Sequence, residues 1–146
     1  LDILIDNTRT PFTDIAKRLL ISAGTVHVRV KKMEDTGIIK GSSLTLDYKK
    51  LGYNFIAYIG VLIDRSKRTY EIIEELKKKP YVTVAHITTG KYNIFLKIRA
   101  KGTEHAREII FSIDDVEGVL RTETMISLEE SINDKKRLMK SIFNEL

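Results

Sequence analysis

An α+β protein built from two unlike domains is predicted by two features of the sequence. From Leu1 to Asp47 the chain reads as short helices at helical apolar spacing, with a basic second helix and a small hairpin after it. From Phe55 onward, strand-like and helix-like segments follow one another in the order β-α-β-β-α-β. The first arrangement is that of a winged helix-turn-helix, the second that of a ferredoxin-like split βαβ domain. A length of 146 residues accommodates one large or two small cores.

In the first part, Thr10-Pro11 is a helix start, with Thr as N-cap and Pro at the position where its missing N–H costs nothing. Ile15, Ala16 and Leu19 form the apolar stripe that follows. Ser22 is the next N-cap candidate, and Val26, Val30 and Met33 recur at i, i+4, i+7 behind it. Gly37 stops that helix. Ile38-Ile39 and Leu44-Thr45-Leu46 flank Gly41-Ser42-Ser43, a hairpin pattern. The opening residues Leu1-Asp2-Ile3-Leu4-Ile5 resemble the middle of a helix, so that helix is expected to begin before Leu1.

A polar stretch from Asp47 to Gly52 leads into the second part. Phe55 to Ile63 is a strand apolar on both sides. Tyr70 to Lys78 is helical, with Ile72, Ile73 and Leu76 on one face and Pro80 as its stop. Val82 to Thr89 and Tyr92 to Ala100 are strands joined at Gly90-Lys91. Thr103 is an N-cap ahead of Ala106, Ile109, Ile110 and Ile113, and Val119 to Leu128 is the last strand. Ser131 to Leu146 forms a tail helix with Leu138, Met139, Ile142, Phe143 and Leu146 in helical register. The expected boundaries are a winged helix-turn-helix domain over residues 1–47, a linker over 48–54, a ferredoxin-like domain over 55–130 and a tail helix over 131–146.

Charge and composition narrow the function. Lys and Arg outnumber Asp and Glu by 25 to 20, and Lys17, Arg18, Arg29, Lys31 and Lys32 cluster with no acidic residue between them. A recognition helix must bury one stripe and present donors to a major groove and its phosphates on the other, and this helix has both. Gly24 either brings the backbone close to a ligand or is a tolerated first-turn residue; His27 either reads a base or is a plain exposed histidine. Cysteine is absent, which excludes disulfides and thiolate metal sites and suits a reducing cytoplasm. His27, His86 and His105 stand too far apart to suggest a metal site. No apolar run of about 18 residues and no secretion signal are visible. In a split βαβ domain the helices cover one sheet face, so a strand apolar on both sides predicts a second subunit on the other.

The chain resembles the Lrp/AsnC family of feast/famine transcription regulators. The resemblance rests on Asn7-Thr8-Arg9-Thr10, on Ile15-Ala16-Lys17, on the run from Ser22 to Glu34 followed by Thr36-Gly37-Ile38-Ile39-Lys40-Gly41, and on Leu51-Gly52-Tyr53. In the second domain it rests on Thr88-Thr89-Gly90-Lys91-Tyr92-Asn93 and Thr122-Glu123-Thr124. It implies double-stranded DNA contact by Ser22, Thr25, His27, Val28, Arg29 and Lys32, with Arg9 a further candidate; Arg9 and Arg29 have intradomain salt bridges as the alternative. It implies homodimers assembling towards octamers, and no cofactor other than an amino-acid effector bound near Thr89, Gly90, Tyr92 and Asn93, with Asp114 and Thr124 facing that loop across subunits. Many family members carry Asp where this chain has Asn93. Its neutral carbonyl replaces a charged acceptor for the effector's ammonium. The asparagine-specific members of the family also depart from Asp there, so the resemblance implies a polar effector, asparagine among them.

Three other classes fit less of the sequence. An enzyme on a ferredoxin-like scaffold lacks a nucleophile arrangement, and a phosphate loop at Gly90-Lys91 fails because Ala85 stands where the first Gly belongs and Tyr92 follows the Lys. An architectural DNA-coating protein would use the same basic patch without sequence preference. A stand-alone amino-acid sensor would not need the recognition helix.

Overall fold

The computed structural model describes residues 1–145; Leu146, the last member of the tail stripe, lies outside the described residues. The chain divides into two compact units: Leu1–Thr45 together with Ser131–Leu146, and Leu46–Glu130.

In the first unit, helices α1 (Asp2–Asp6), α2 (Phe12–Leu19) and α3 (Ala23–Asp35) enclose a small core of Ile15, Ala16, Val26 and Val30. Helix α2 starts one residue later than the sequence reading placed it. Thr10 does not cap it, because its hydroxyl donates to the carbonyl of Asn7 at 2.8 Å. Leu19 departs from its stripe and is 51% exposed, since the chain turns sharply at Leu20, which adopts a left-handed φ of 54°. Ser22 caps α3 as expected: its Oγ accepts the Thr25 N–H at 3.1 Å. Gly37, at φ 74°, ends it, with the Gly37 and Ile39 N–H groups donating to the carbonyls of Glu34 and Met33.

The expected wing does not pair. Residues 39–47 form no strand, and Ile38, Leu44 and Leu46 are exposed. A two-stranded hairpin with no surface to bury its apolar side is marginal by itself. The tail helix α6 (Lys136–Glu145) starts five residues later than read, where the Asp134 carboxylate accepts the Lys136 N–H at 2.8 Å. It lies on α1, with Lys140 Nζ 3.0 Å from Asp6 Oδ1. Met139 and Phe143 are half-buried, while Leu138 and Ile142 stay exposed.

The second unit is a four-stranded antiparallel sheet of β1 (Phe55–Ile63), β2 (Val82–Ile87), β3 (Ile94–Ala100) and β4 (Val119–Ile126), in the order β2-β3-β1-β4. Helices α4 (Thr69–Lys77) and α5 (Thr103–Asp114) cover one face. The core is Ala57, Ile59, Val61 and Ile63 from β1, alternate residues of β3, and Ile72, Leu76, Ala106, Ile109 and Ile113 from the helices. This is the α+β arrangement expected. Strands β2 and β3 each end two residues before the expected hairpin, leaving a six-residue loop. Strand β4 stops at Ile126, because its pairing runs out at the start of β1 and only Ser127 still donates, to the Ile56 carbonyl. Thr103 is the first helical residue of α5, not its cap; Gly102 takes the cap position.

The other sheet face carries no helix of this unit. Tyr58 stacks on Phe95 there, with ring centroids 5.9 Å apart and planes 14° apart, and Ile56 and Leu62 share that side of β1. The connector is a single turn. Asp47 Oδ1 accepts the N–H groups of Lys49 and Lys50, and the Tyr53 N–H donates to the Tyr48 carbonyl. Arg99 on β3 holds both ends of it, its guanidinium 5.0 Å from the Tyr48 ring centroid and its NH1 donating to the Tyr53 carbonyl at 3.0 Å.

Candidate functional site

The buried seam of α3, formed by Val26, Val30 and half-buried Met33, fixes which side of the helix faces outward. At 100° per residue the opposite side carries Gly24, Val28 and Lys31, flanked by Thr25 and Lys32 on one edge and His27 on the other. His27, Val28, Arg29, Lys31 and Lys32 are exposed. Among the described residues no carboxylate lies within ion-pair distance of Arg9, Arg29, Lys31 or Lys32, so the salt-bridge alternative for Arg9 and Arg29 is not what the structure holds. Exposed cations with no internal partner are suited to phosphate.

The remaining candidates are more constrained. Ser22 and Thr25 are joined by a 2.8 Å hydroxyl–hydroxyl hydrogen bond, and the Ser22 oxygen also caps the helix. The His27 ring leans on Phe12 at 5.9 Å. Arg29 and Lys32 border an apolar cleft of about 640 Å³ that reaches Leu1, Ile3, Leu19 and Phe143. Arg9 sits in the α1–α2 loop, where its N–H donates to Asn7 Oδ1.

In the second unit the loop between β2 and β3 gathers Thr89, Gly90, Tyr92 and Asn93. Gly90 has φ 95°, a conformation that glycine adopts without strain. The Thr88 hydroxyl donates to the Tyr92 carbonyl at 2.9 Å and closes the loop. Asn93 fastens it to β1: its N–H donates to the Val61 carbonyl, and its Oδ1 accepts the Ile63 N–H at 3.1 Å. The Asn93 oxygen thus serves the sheet, and with two lone pairs it keeps room for a second donor, while the amide nitrogen can itself donate.

Asp114 and Thr124 are not brought to the loop within one chain. Thr124 pairs with Ile59 and so lies on the helix-covered face, and Asp114 accepts the Thr122 hydroxyl at 2.7 Å on that same side. The loop instead reaches Glu123, which pairs with Gly60 and points to the open face. The Tyr92 hydroxyl donates to Glu123 Oε2 at 2.5 Å, Lys91 Nζ lies 3.0 Å from the same oxygen, and Arg121 NH2 lies 2.8 Å from Oε1. Gly60 lies directly under the Tyr92 ring. Glu123, Lys91 and Gly60 carried no assignment from the sequence, although a lone glycine inside an apolar strand is a signal of close approach.

The Tyr92 hydroxyl first, then the Lys91 ammonium, hold the Glu123 carboxyl below its ordinary pKa of 4.5. The same contact raises the Tyr92 hydroxyl and the Lys91 ammonium, so each keeps its proton. A depressed carboxylate contributes stability above its ordinary pKa and loses it as the pH falls through the folded value. Glu123→Gln is therefore expected to be less stable than wild type at neutral pH, with the difference closing as the pH drops well below 4.5. Urea denaturation across a pH series checks this; a pH-independent difference would show that the cluster is not electrostatically coupled.

Comparison with known proteins extends this geometry. Residues 1–40 match the family model described as winged helix-turn-helix DNA-binding, and residues 56–136 match the Lrp/AsnC ligand binding domain. Those two domains in that order define a DNA-binding transcription regulator, not an enzyme. The regulatory protein AsnC of Haemophilus influenzae is 36% identical over 133 residues, spanning 90% of this chain and 89% of that protein. The structure of Escherichia coli AsnC superposes with a TM-score of 0.90 at 32% identity, covering 92% of this chain and 91% of that one. A Neisseria meningitidis transcriptional regulator solved with L-methionine shares the fold, with a TM-score of 0.85 at 21% identity and coverage of 92% and 89%. The chain belongs to the Lrp/AsnC family.

Proposed function

We propose that residues 1–47 read specific DNA sequences through α3, and that residues 55–130 bind a small amino acid that alters DNA binding or assembly. Residues 48–54 join the two. The observation that carries the DNA half is the outward side of α3, where exposed Lys31 and Lys32 stand beside Thr25, His27 and Val28, with exposed Arg29 nearer the buried seam and, among the described residues, no acidic partner for any of the three cations. Ser22 and Arg9 complete the DNA-contact set. The effector half is supported by the match to a ligand binding domain and by the glycine loop of Thr89, Gly90, Tyr92 and Asn93. A regulator of the same fold solved with L-methionine fits this class of ligand. The effector proposed is asparagine or another polar amino acid, as the resemblance at Asn93 implies.

The open sheet face, with Tyr58, Phe95, Leu62 and exposed Val84 and Met125, is the surface on which a second copy packs. Dimers of this kind place two recognition helices in successive major grooves, about 34 Å apart. They assemble further towards octamers, bringing the partner subunit's Asp114 and Thr124 to the loop, and the protein works in the cytoplasm.

Two substitutions separate phosphate contact from base reading. Lys32→Ala is expected to weaken all duplexes alike and to lower the salt slope by about 1. His27→Ala is expected to change the ranking among duplexes. Fluorescence anisotropy at several salt concentrations measures both. A Lys32→Ala slope equal to wild type, with an unchanged ranking in His27→Ala, would contradict the assignment of α3 as the reading helix.

A further inference from the structure

The centre of the outward side of α3 is apolar, although its rim is polar and basic. Val28 lies opposite the buried seam and is 65% exposed. Valine is β-branched and a poor helix former, so neither burial nor helix propensity accounts for it there. One turn earlier stands Gly24. Its φ lies outside the left-handed range, and a Cβ there would meet only Ser22 Oγ at 3.8 Å. The fold therefore accepts alanine at this position, and alanine would strengthen the helix. Side chains on a helix tilt towards its N-terminus, so Val28 leans over the turn that Gly24 leaves bare. The result is a small apolar notch bordered by Thr25, His27, Lys31 and Lys32, all of them polar or cationic. In the major groove the base-edge feature that is apolar is the thymine C5-methyl group; the others are hydrogen-bond donors and acceptors.

We propose that Gly24 and Val28 form a methyl-reading notch that selects thymine at one fixed position of each half-site. The notch rests on the DNA-reading role proposed for α3. Val28 packs on the methyl group, and the missing side chain at Gly24 lets the start of the helix approach the base edge. The flanking cations hold the register through phosphates.

The test uses the full chain and a duplex selected by it from a random pool. Each thymine is replaced singly by uracil, which removes the methyl and leaves the hydrogen-bonding groups in place. Wild type is expected to lose about fourfold in affinity at one thymine per half-site, the worth of one buried methyl. Val28→Ala is expected to bind the thymine duplex more weakly and to show no uracil penalty. Gly24→Ala is expected to keep or raise its melting temperature while losing affinity for the thymine duplex. Clear selection of a duplex with no uracil penalty anywhere, or the same penalty in Val28→Ala as in wild type, would overturn the notch and leave sequence reading intact. Failure to enrich any duplex would overturn both.

Discussion

Gly60→Ala is expected to drive the Tyr92 ring off the sheet and to destabilise the second unit by about 1–3 kcal/mol, the usual range for an overpacked site. A Cβ at Gly60 would stand 2.5 Å from Cγ and Cε1 of that ring. Contact at Cγ cannot be relieved by bending only the far end of the side chain, so the whole ring has to swing. Its hydroxyl then leaves Glu123, and the loop that Thr88 closes onto Tyr92 loses its anchor on the open face. Chemical denaturation gives the stability change, and the response of DNA binding to amino acids gives the functional one. Tyr92→Phe is the milder control, because the ring stays and only the hydroxyl contact goes. The decisive comparison is non-additivity: in a Tyr92→Ala background, Gly60→Ala should cost little. Equal costs in the two backgrounds would show that the glycine is needed for something other than the ring.

Arg99→Ala is expected to leave amino-acid binding near its wild-type strength and to remove most of its effect on DNA binding. Arg99 fastens the turn that opens the second unit, through the Tyr48 ring and the Tyr53 carbonyl. Tyr53 is held further by stacking on Tyr81 at 6.3 Å. A ligand acts on a distant site only through an element whose arrangement both sites bias. Couplings of this kind usually amount to about 5–150-fold, and Arg99→Ala should bring the factor close to one. Arg99→Lys keeps the charge but not the planar fork, and should restore only part of the coupling. Calorimetry for the amino acid and anisotropy for DNA read the two halves separately. Full coupling in Arg99→Ala would mean that the signal travels by another route, such as assembly.

Much of this arrangement was legible in the residues. The span of β1 was plain because nine residues from Phe55 to Ile63 carry apolar side chains or glycine. The Ser22 cap and the Gly37 stop were plain because their local chemistry dictates them. The wing's hairpin pattern over 38–46 does not become strands, because the pattern is local while a hairpin needs a surface that only tertiary structure supplies. The same reason explains Leu19, which keeps helical spacing yet lies beside the exposed turn at Leu20. Glu123 sat inside a motif quoted from the sequence, but its partners Tyr92 and Lys91 are far from it in the chain, and only sheet register brings them together. Arg99 was silent for the same reason. Asn93 is legible as a loop residue, whereas its oxygen's bond to the Ile63 N–H is not, because backbone demand beside β3 is not visible in a side-chain pattern.

On the function proposed above, one chain joins sequence-specific DNA reading to amino-acid sensing. Anisotropy on the DNA upstream of the protein's own gene and on a scrambled duplex, at one near-physiological salt concentration, with and without each common amino acid, tests it most directly. The expected result is a clear preference for the upstream duplex that one amino acid, a polar one by the resemblance at Asn93, shifts. Equal binding to both duplexes, unmoved by any amino acid, would contradict it and point to an architectural protein whose second domain serves assembly alone.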